Sequence, residues 1–111
     1  MYVRRDDVVS ADILLVEAAN VLGKKVRAKT MTGEDAMNCL TLIRSGVTRL
    51  LRSEPLVPRA LELSIMLSHP VYDCVFLACA EAEGGALATR DIPFVTRVTE
   101  RGLGHLLVLP P

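Results

Sequence analysis

The chain has 111 residues, of which 50 % are hydrophobic and 23 % are charged. This composition predicts one folded domain over residues 1–111 and excludes an intrinsically disordered chain. Thirteen acidic residues balance thirteen basic ones, which argues against bulk electrostatic binding to nucleic acid or membrane but leaves a local basic patch open. No apolar run reaches the roughly 18 residues of a membrane span, and the N-terminus does not resemble a signal peptide, so we expect a cytoplasmic protein.

Short apolar strands alternate with helices along the chain. Asp12 and Thr32 are the expected N-caps of the first two helices, Gly46 ends the second, and Pro70 separates two later ones. The predicted strands cover residues 8–10, 47–51, 86–89 and 106–109, and the predicted helices cover residues 12–29, 32–46, 55–67, 70–84 and 93–102. This alternation predicts an α/β domain with a mostly parallel sheet, in which ligands bind beyond the carboxyl ends of the strands.

Cysteine and histidine give no metal signal in this sequence. Cys39, Cys74 and Cys79 are odd in number, have no CxxC spacing and lie in apolar helical segments, so reduced thiols are expected rather than a disulfide or zinc site. His69 and His105 have no metal-type spacing to each other, and His69 is expected to play a structural role before Pro70.

Two aspartates stand out by their positions. Asp73 interrupts an apolar run over residues 71–80, where an unpaired buried charge would cost several kcal/mol. Asp73 either stabilises the first turn of its helix through the helix dipole or has a functional role. Asp91 follows the predicted strand at residues 86–89, so it either caps the next helix or belongs to a ligand site at the carboxyl edge of the sheet.

A third acid, Glu17, lies on a helix face shared with Asn20 and Lys24, opposite the apolar stripe that contains Leu15. A solvated polar face would explain this spacing. Taken together with the two aspartates, however, Glu17 suggests an oxygen-rich cluster for a hard divalent cation. Cations held by carboxylates commonly activate water in phosphodiester cleavage.

The segments LLVEAANVLGKKV and HPVYDCVFLACAEAEGGALATRDIPF closely resemble PIN-domain proteins, especially the VapC-type toxin ribonucleases. The family patterns LxxExxN, HPxYDAxYLALAE and LxTxD match Glu17, Asp73 and Asp91, accompanied by Asn20 and Thr89. The resemblance implies a PIN-like three-layer domain with helices flanking a mostly parallel central sheet. It also implies that the three acids are both catalytic residues and ligands of Mg²⁺ or Mn²⁺. The implied activity is endoribonuclease cleavage, with a VapB-type antitoxin as inhibiting partner and a homodimer as the assembly.

The family's first strand, which carries an early aspartate in the centre of the sheet, has no match in this chain. We therefore expect a PIN-like domain that is incomplete at its N-terminus. Three explanations are open: the start of the chain is assigned too late, the chain is a natural inactive fragment, or another segment fills the gap. Asp6, Asp7 and Asp12 are near in sequence, but none has the strand context of the absent residue. The gap is expected to leave unpaired backbone on the two strands beside it.

Two classes of function remain open from the sequence. The first is a metal-dependent endoribonuclease of the VapC toxin type, with Lys24 and Arg90 as possible contacts to RNA phosphates. Favourable charge at a helix C-terminus and solubility would equally explain the basic run that contains Lys24. The second class is a catalytically incomplete PIN-like module that binds an antitoxin or dimerises without cutting RNA. A generic α/β ligand-binding domain is less favoured, because the chain has no glycine-rich phosphate loop.

Overall fold

The computed structural model describes residues 2–4, as a backbone strand, and residues 8–108. Within these ranges, five short strands form one sheet in the order β3–β2–β1–β4–β5. Asp6, Asp7 and Leu109, which belong to the sequence-based predictions, lie outside the described residues. The strands are β1 Tyr2–Arg4, β2 Val8–Ala11, β3 Arg49–Leu51, β4 Ala86–Ala88 and β5 Leu107–Val108.

Strand β1 lies in the centre of the sheet and runs antiparallel to both of its neighbours. Val3 is opposite Val9 of β2 on one side and Leu87 of β4 on the other. Strands β2 and β3 are parallel, as are β4 and β5, so the four outer strands all point in the same direction. The predicted α/β class is thus confirmed, and the sheet is parallel except for β1. The expected gap of unpaired backbone between β2 and β4 is wrong, because β1 pairs with both strands.

Five helices connect and cover these strands in the described part of the chain. Thr32 caps α2 as predicted, because its Oγ1 accepts a hydrogen bond from the Asp35 backbone N–H at 3.1 Å. Asp12 stands at the N-cap position of α1, but the predicted cap bond is absent. Its Oδ1 instead accepts hydrogen bonds from the backbone N–H and the hydroxyl of Ser53. The helices are α1 Ile13–Arg27, α2 Gly33–Ser45, α3 Val57–Leu67, α4 Val71–Ala82 and α5 Ile92–Glu100.

Helix α4 is the centre of the hydrophobic core. All seven residues at positions 74–80 are buried, and Phe76 and Leu77 have no exposed surface. Full burial of a side chain of this size contributes about 1.5–3 kcal/mol. The same cluster takes in residues from α3, β4 and α5, among them Leu63, Leu87, Phe94 and Val98. The first turn of α4, which carries Asp73, is therefore attached to the most densely packed part of the domain.

Helices α1 and α2 pack on each other and have little burial of their own. Leu22 is the buried residue of α1, and α2 has none. Between the two helices lies an open apolar cleft of about 570 Å³, whose lining includes Leu14, Val21 and Leu42.

No single helix within residues 8–108 is long and apolar enough to cross a membrane. By length and composition alone, one pair of helical segments in that range could do so together, Glu54–Leu67 with Val71–Ala82, and this pair is bent by 117° at its break.

Candidate metal site at the carboxyl edge of the sheet

The turn between α3 and α4 determines where Asp73 and His69 lie. Helix α3 ends at Leu67, and its C-cap residue, Ser68, adopts a left-handed conformation with φ of 49°. Pro70 has an extended ψ of 143° and precedes the first helical residue of α4, as expected for a proline that cannot extend the preceding helix. The hydroxyl of Ser64 donates a hydrogen bond to the carbonyl oxygen of His69 at 2.6 Å. His69 is thus held in the turn, four residues before Asp73.

His69 and Asp73 form a direct side-chain contact. His69 Nε2 lies 2.6 Å from Asp73 Oδ2, and the two side chains are only 8 % and 24 % exposed. The imidazole ring packs against the ring of Phe94, with 4.6 Å between the centroids and an angle of 42° between the planes. Arg97 Nη1 donates to the carbonyl oxygen of Ser68 at 2.5 Å and lies 3.2 Å from His69 Nδ1. Asp73 therefore has a polar partner, which offsets much of the desolvation free energy of a carboxylate in an apolar segment.

Asp91 reaches the same place from the end of β4. It is the N-cap of α5, where its Oδ1 accepts a hydrogen bond from the Phe94 backbone N–H at 3.1 Å. Thr89 is buried, and its Oγ1 accepts from the Asp91 backbone N–H at 3.2 Å. The capping role anticipated for Asp91 is therefore present. Cap formation occupies Oδ1 and does not prevent Oδ2 from serving as a ligand.

Three side chains from this region offer possible metal ligands close together. One atom each from His69, Asp73 and Asp91 lies within 4.8 Å of the other two. Two of these residues, Asp73 and Asp91, were predicted as ligands from the sequence. Their carboxylate oxygens are the donors that hard divalent cations prefer. The two carboxylates therefore suit a hard divalent cation such as Mg²⁺ or Mn²⁺, whereas the imidazole nitrogen is a donor that transition metals also accept.

Among the described residues, Glu17 is not part of the group formed by His69, Asp73 and Asp91. Burial and the negative charge of Asp73 raise the pKa of the half-buried Glu17 carboxyl above its usual value. The charge of Asp73 thus acts on Glu17, which also lines the apolar cleft between α1 and α2. Asn20 and Lys24, on the same helix, are exposed, as is Arg90 beside Asp91. The two predicted aspartates lie together at this edge, and Glu17 is outside the group that they form with His69.

His69 and Arg97 were not predicted from the sequence as parts of this region. The spacing of His69 and Asp73 is i, i+4, which places two residues of one helix on the same face. Pro70 concealed that signal, because it puts His69 outside the helix that carries Asp73. The contact of Arg97 with His69 joins residues 28 positions apart and left no local pattern in the sequence.

A scan against protein-family models found no match for this chain, and a search of curated proteins found none either. The assignment of a function therefore depends on the chemistry of the residues at this edge of the sheet.

Proposed function

We propose that the protein is a PIN-like, VapC-type endoribonuclease that cleaves RNA phosphodiesters with Mg²⁺ or Mn²⁺. The observation that carries the proposal is the convergence of Asp73 and Asp91, from two separate elements, within 4.8 Å of each other. Like charges this close repel each other, and a divalent cation between them would remove that repulsion. The raised pKa of Glu17 supports the same site, because it indicates a third acid within the field of Asp73.

Asp73, Asp91 and Glu17 would hold the cation in this proposal. When bound, such a cation supplies an activated water and stabilises the leaving oxygen of the phosphodiester. Thr89 holds the backbone of Asp91 through its hydroxyl, and α5 holds the Asp91 carboxylate through the cap bond. Exposed Lys24 and Arg90 would contact RNA phosphates, and exposed Asn20 would be a supporting polar residue beside Glu17.

The order of the strands supports a PIN-like arrangement. Strands β2 and β4 stand on either side of a central position, which is where the resemblance puts the family's first strand. In this chain β1 occupies that position in the antiparallel direction. The proposal includes the three-layer arrangement of the family and a cytoplasmic location. It also includes a homodimer as the assembly and a VapB-type antitoxin as the partner.

A second candidate function is a PIN-like module that binds a partner without cutting RNA. It is favoured by an apolar stripe on α3, where Val57, Leu61 and Ile65 follow one another at intervals of four residues. These side chains are 47 %, 54 % and 72 % exposed. An exposed stripe of this kind is typical of a helix that packs against another protein.

The test is cleavage of a mixed RNA pool with Mg²⁺ or Mn²⁺, with and without chelator. Asp73→Asn keeps the size of the side chain and removes its charge, and we expect it to reduce cleavage at least about 100-fold. Glu34→Gln is the matched control, since Glu34 is an exposed acid in the first turn of α2. Cleavage should also weaken with added salt if cationic side chains contact the phosphates.

Full activity of Asp73→Asn, or cleavage that persists in chelator, would contradict the proposed nuclease. A sample that is folded by circular dichroism and does not cut RNA under any of these conditions would favour the binding module instead.

A further inference from the structure

A chain of polar contacts connects α5 to the candidate metal site through the turn before α4. It runs from Arg97 to His69 and from His69 to Asp73. We propose that His69 is a positioning residue, held by Arg97 as the tautomer with hydrogen on Nε2, which orients the Asp73 carboxylate for cation binding. This inference rests on the proposed function and assigns His69 a role outside the ligand set.

The contacts of the imidazole determine its tautomer. A guanidinium can only donate hydrogen bonds, so His69 Nδ1 must accept from Arg97 Nη1 at 3.2 Å. A neutral imidazole whose Nδ1 accepts carries its hydrogen on Nε2. Nε2 therefore donates to Asp73 Oδ2 at 2.6 Å, which is a charge-assisted bond to a carboxylate.

The ring itself has little freedom to turn toward a cation. It is held on one side by the ring of Phe94, and its backbone carbonyl accepts from the Ser64 hydroxyl. Arg97 is anchored in turn, because the same Nη1 donates to the carbonyl oxygen of Ser68. His69 would have to give up its bond to Asp73 in order to coordinate a metal through Nε2. The geometry favours the role of donor over that of ligand.

The bond to His69 restricts the plane and direction of the Asp73 carboxylate. It uses Oδ2, and among the described residues Oδ1 accepts no hydrogen bond. Oδ1 can therefore face a cation while Oδ2 is held. Hydrogen-bond partners that hold a ligating carboxylate in place are commonly worth 10–100-fold in metal affinity.

Two substitutions of His69 separate the donor role from a ligand role. In His69→Gln the side-chain amide extends about as far as Nε2 and can donate to Asp73, whereas the shorter amide of His69→Asn cannot reach it. With Mn²⁺ alone as the probe, measured by titration calorimetry, we expect His69→Gln to bind within about threefold of the unsubstituted protein. His69→Asn should lose about 10–100-fold in affinity. His105→Asn, at an exposed histidine, is the control.

Two outcomes of the titration would overturn the positioning role while Mn²⁺ binding itself, and with it the proposed function, stands. One is that Gln and Asn variants lose affinity equally, as they would if the imidazole were a ligand or only a packing element. The other is that neither variant loses affinity. Thermal unfolding in chelator shows whether each variant is folded at the temperature of the titration.

The tautomer is measured independently of any metal or RNA. Long-range proton–nitrogen NMR spectra of the imidazoles at pH 8 distinguish hydrogen on Nε2 from hydrogen on Nδ1, with His105 as the internal reference. We expect hydrogen on Nε2 of His69 in the unsubstituted protein, and only a partial loss of that preference in Arg97→Leu, because the Asp73 carboxylate still accepts from Nε2. Hydrogen on Nδ1 in the unsubstituted protein would overturn the inference. A protein that shows hydrogen on Nε2 but binds no Mn²⁺ would overturn the proposed function, while the hydrogen-bond geometry would stand.

Discussion

Asp91 has two roles in the structure that can be separated by substitution. Its Oδ1 caps α5 through the Phe94 backbone N–H, and one of its carboxylate oxygens lies within 4.8 Å of polar side-chain atoms of Asp73 and His69. Asparagine is about as good an N-cap as aspartate, whereas alanine is not. Asp91→Asn therefore keeps the cap and removes the charge that would bind a cation, while Asp91→Ala removes both.

The size of the effect on stability follows from the cap and the length of the chain. Loss of an N-cap costs about 1 kcal/mol. For 111 residues, an unfolding entropy of about 2.1 cal/mol/K per residue gives about 0.23 kcal/mol/K in total. Asp91→Ala should therefore lower Tm by about 4 °C in chelator. Asp91→Asn should change it by less than about 2 °C, because the lost attraction to the helix dipole is offset by weaker repulsion from Asp73.

The assay combines thermal unfolding by circular dichroism in chelator with a Mn²⁺ titration of each variant. We expect both variants to lose at least about tenfold in Mn²⁺ affinity, since a direct ligand matters at least as much as its hydrogen-bond partners. A fall in Tm as large for Asn as for Ala would refute the capping argument. Unchanged Mn²⁺ affinity in Asp91→Asn would refute the role of Asp91 as a ligand.

Two further predictions follow from groups whose pKa is shifted by burial. The pKa of Glu17 is raised by burial and by the charge of Asp73. The free energy of unfolding therefore falls as pH rises from 4.5 through the raised value, because the unfolded chain releases this proton at a lower pH than the folded one. In urea unfolding with chelator, Glu17→Gln should gain stability relative to the unsubstituted protein across that interval, and a constant or falling difference would contradict this reasoning. Burial, assisted by neighbouring acids, raises the pKa of Cys74 and Cys79 to about 11. A thiol reagent at pH 8 should therefore modify only half-buried Cys39 in the native protein and all three cysteines in denaturant, whereas rapid native modification of two thiols would be inconsistent with the fold.

Elements with a strong local signal were predicted well from the sequence. Helix α2 begins where Thr32 can cap it, and α4 is the long apolar segment after Pro70. Strands β2 and β4 are short and apolar, and each is followed along the chain by a helix, as the alternating pattern predicts. In each case the cap, the proline or the run of apolar residues acts within a few positions along the chain, so the pattern can be recognised without the tertiary structure.

Features that depend on distant partners were missed. Strand β1 is three residues long and is stabilised by pairing on both sides, which local composition does not reveal. Asp12 has the residue type and position of an N-cap, but Ser53, 41 residues away, offers its carboxylate two hydrogen-bond donors. The candidate site shows the same division, since Asp73 and Asp91 were recognised from local sequence and the Arg97 contact to His69 was not.

The uneven burial of the domain has a consequence for any cation that the candidate site binds. Asp73 belongs to the densely packed part of the chain, whereas Glu17 belongs to the α1–α2 pair, in which Leu22 is the buried residue. Segments with few buried contacts open most readily as local cooperative units, which hydrogen exchange detects. A cation held by acids from both parts would bind only while the pair is closed, and its apparent affinity would fall in proportion to the closed fraction. The same cation would in turn slow the opening of the pair, so metal occupancy and the local stability of α1 and α2 would rise together.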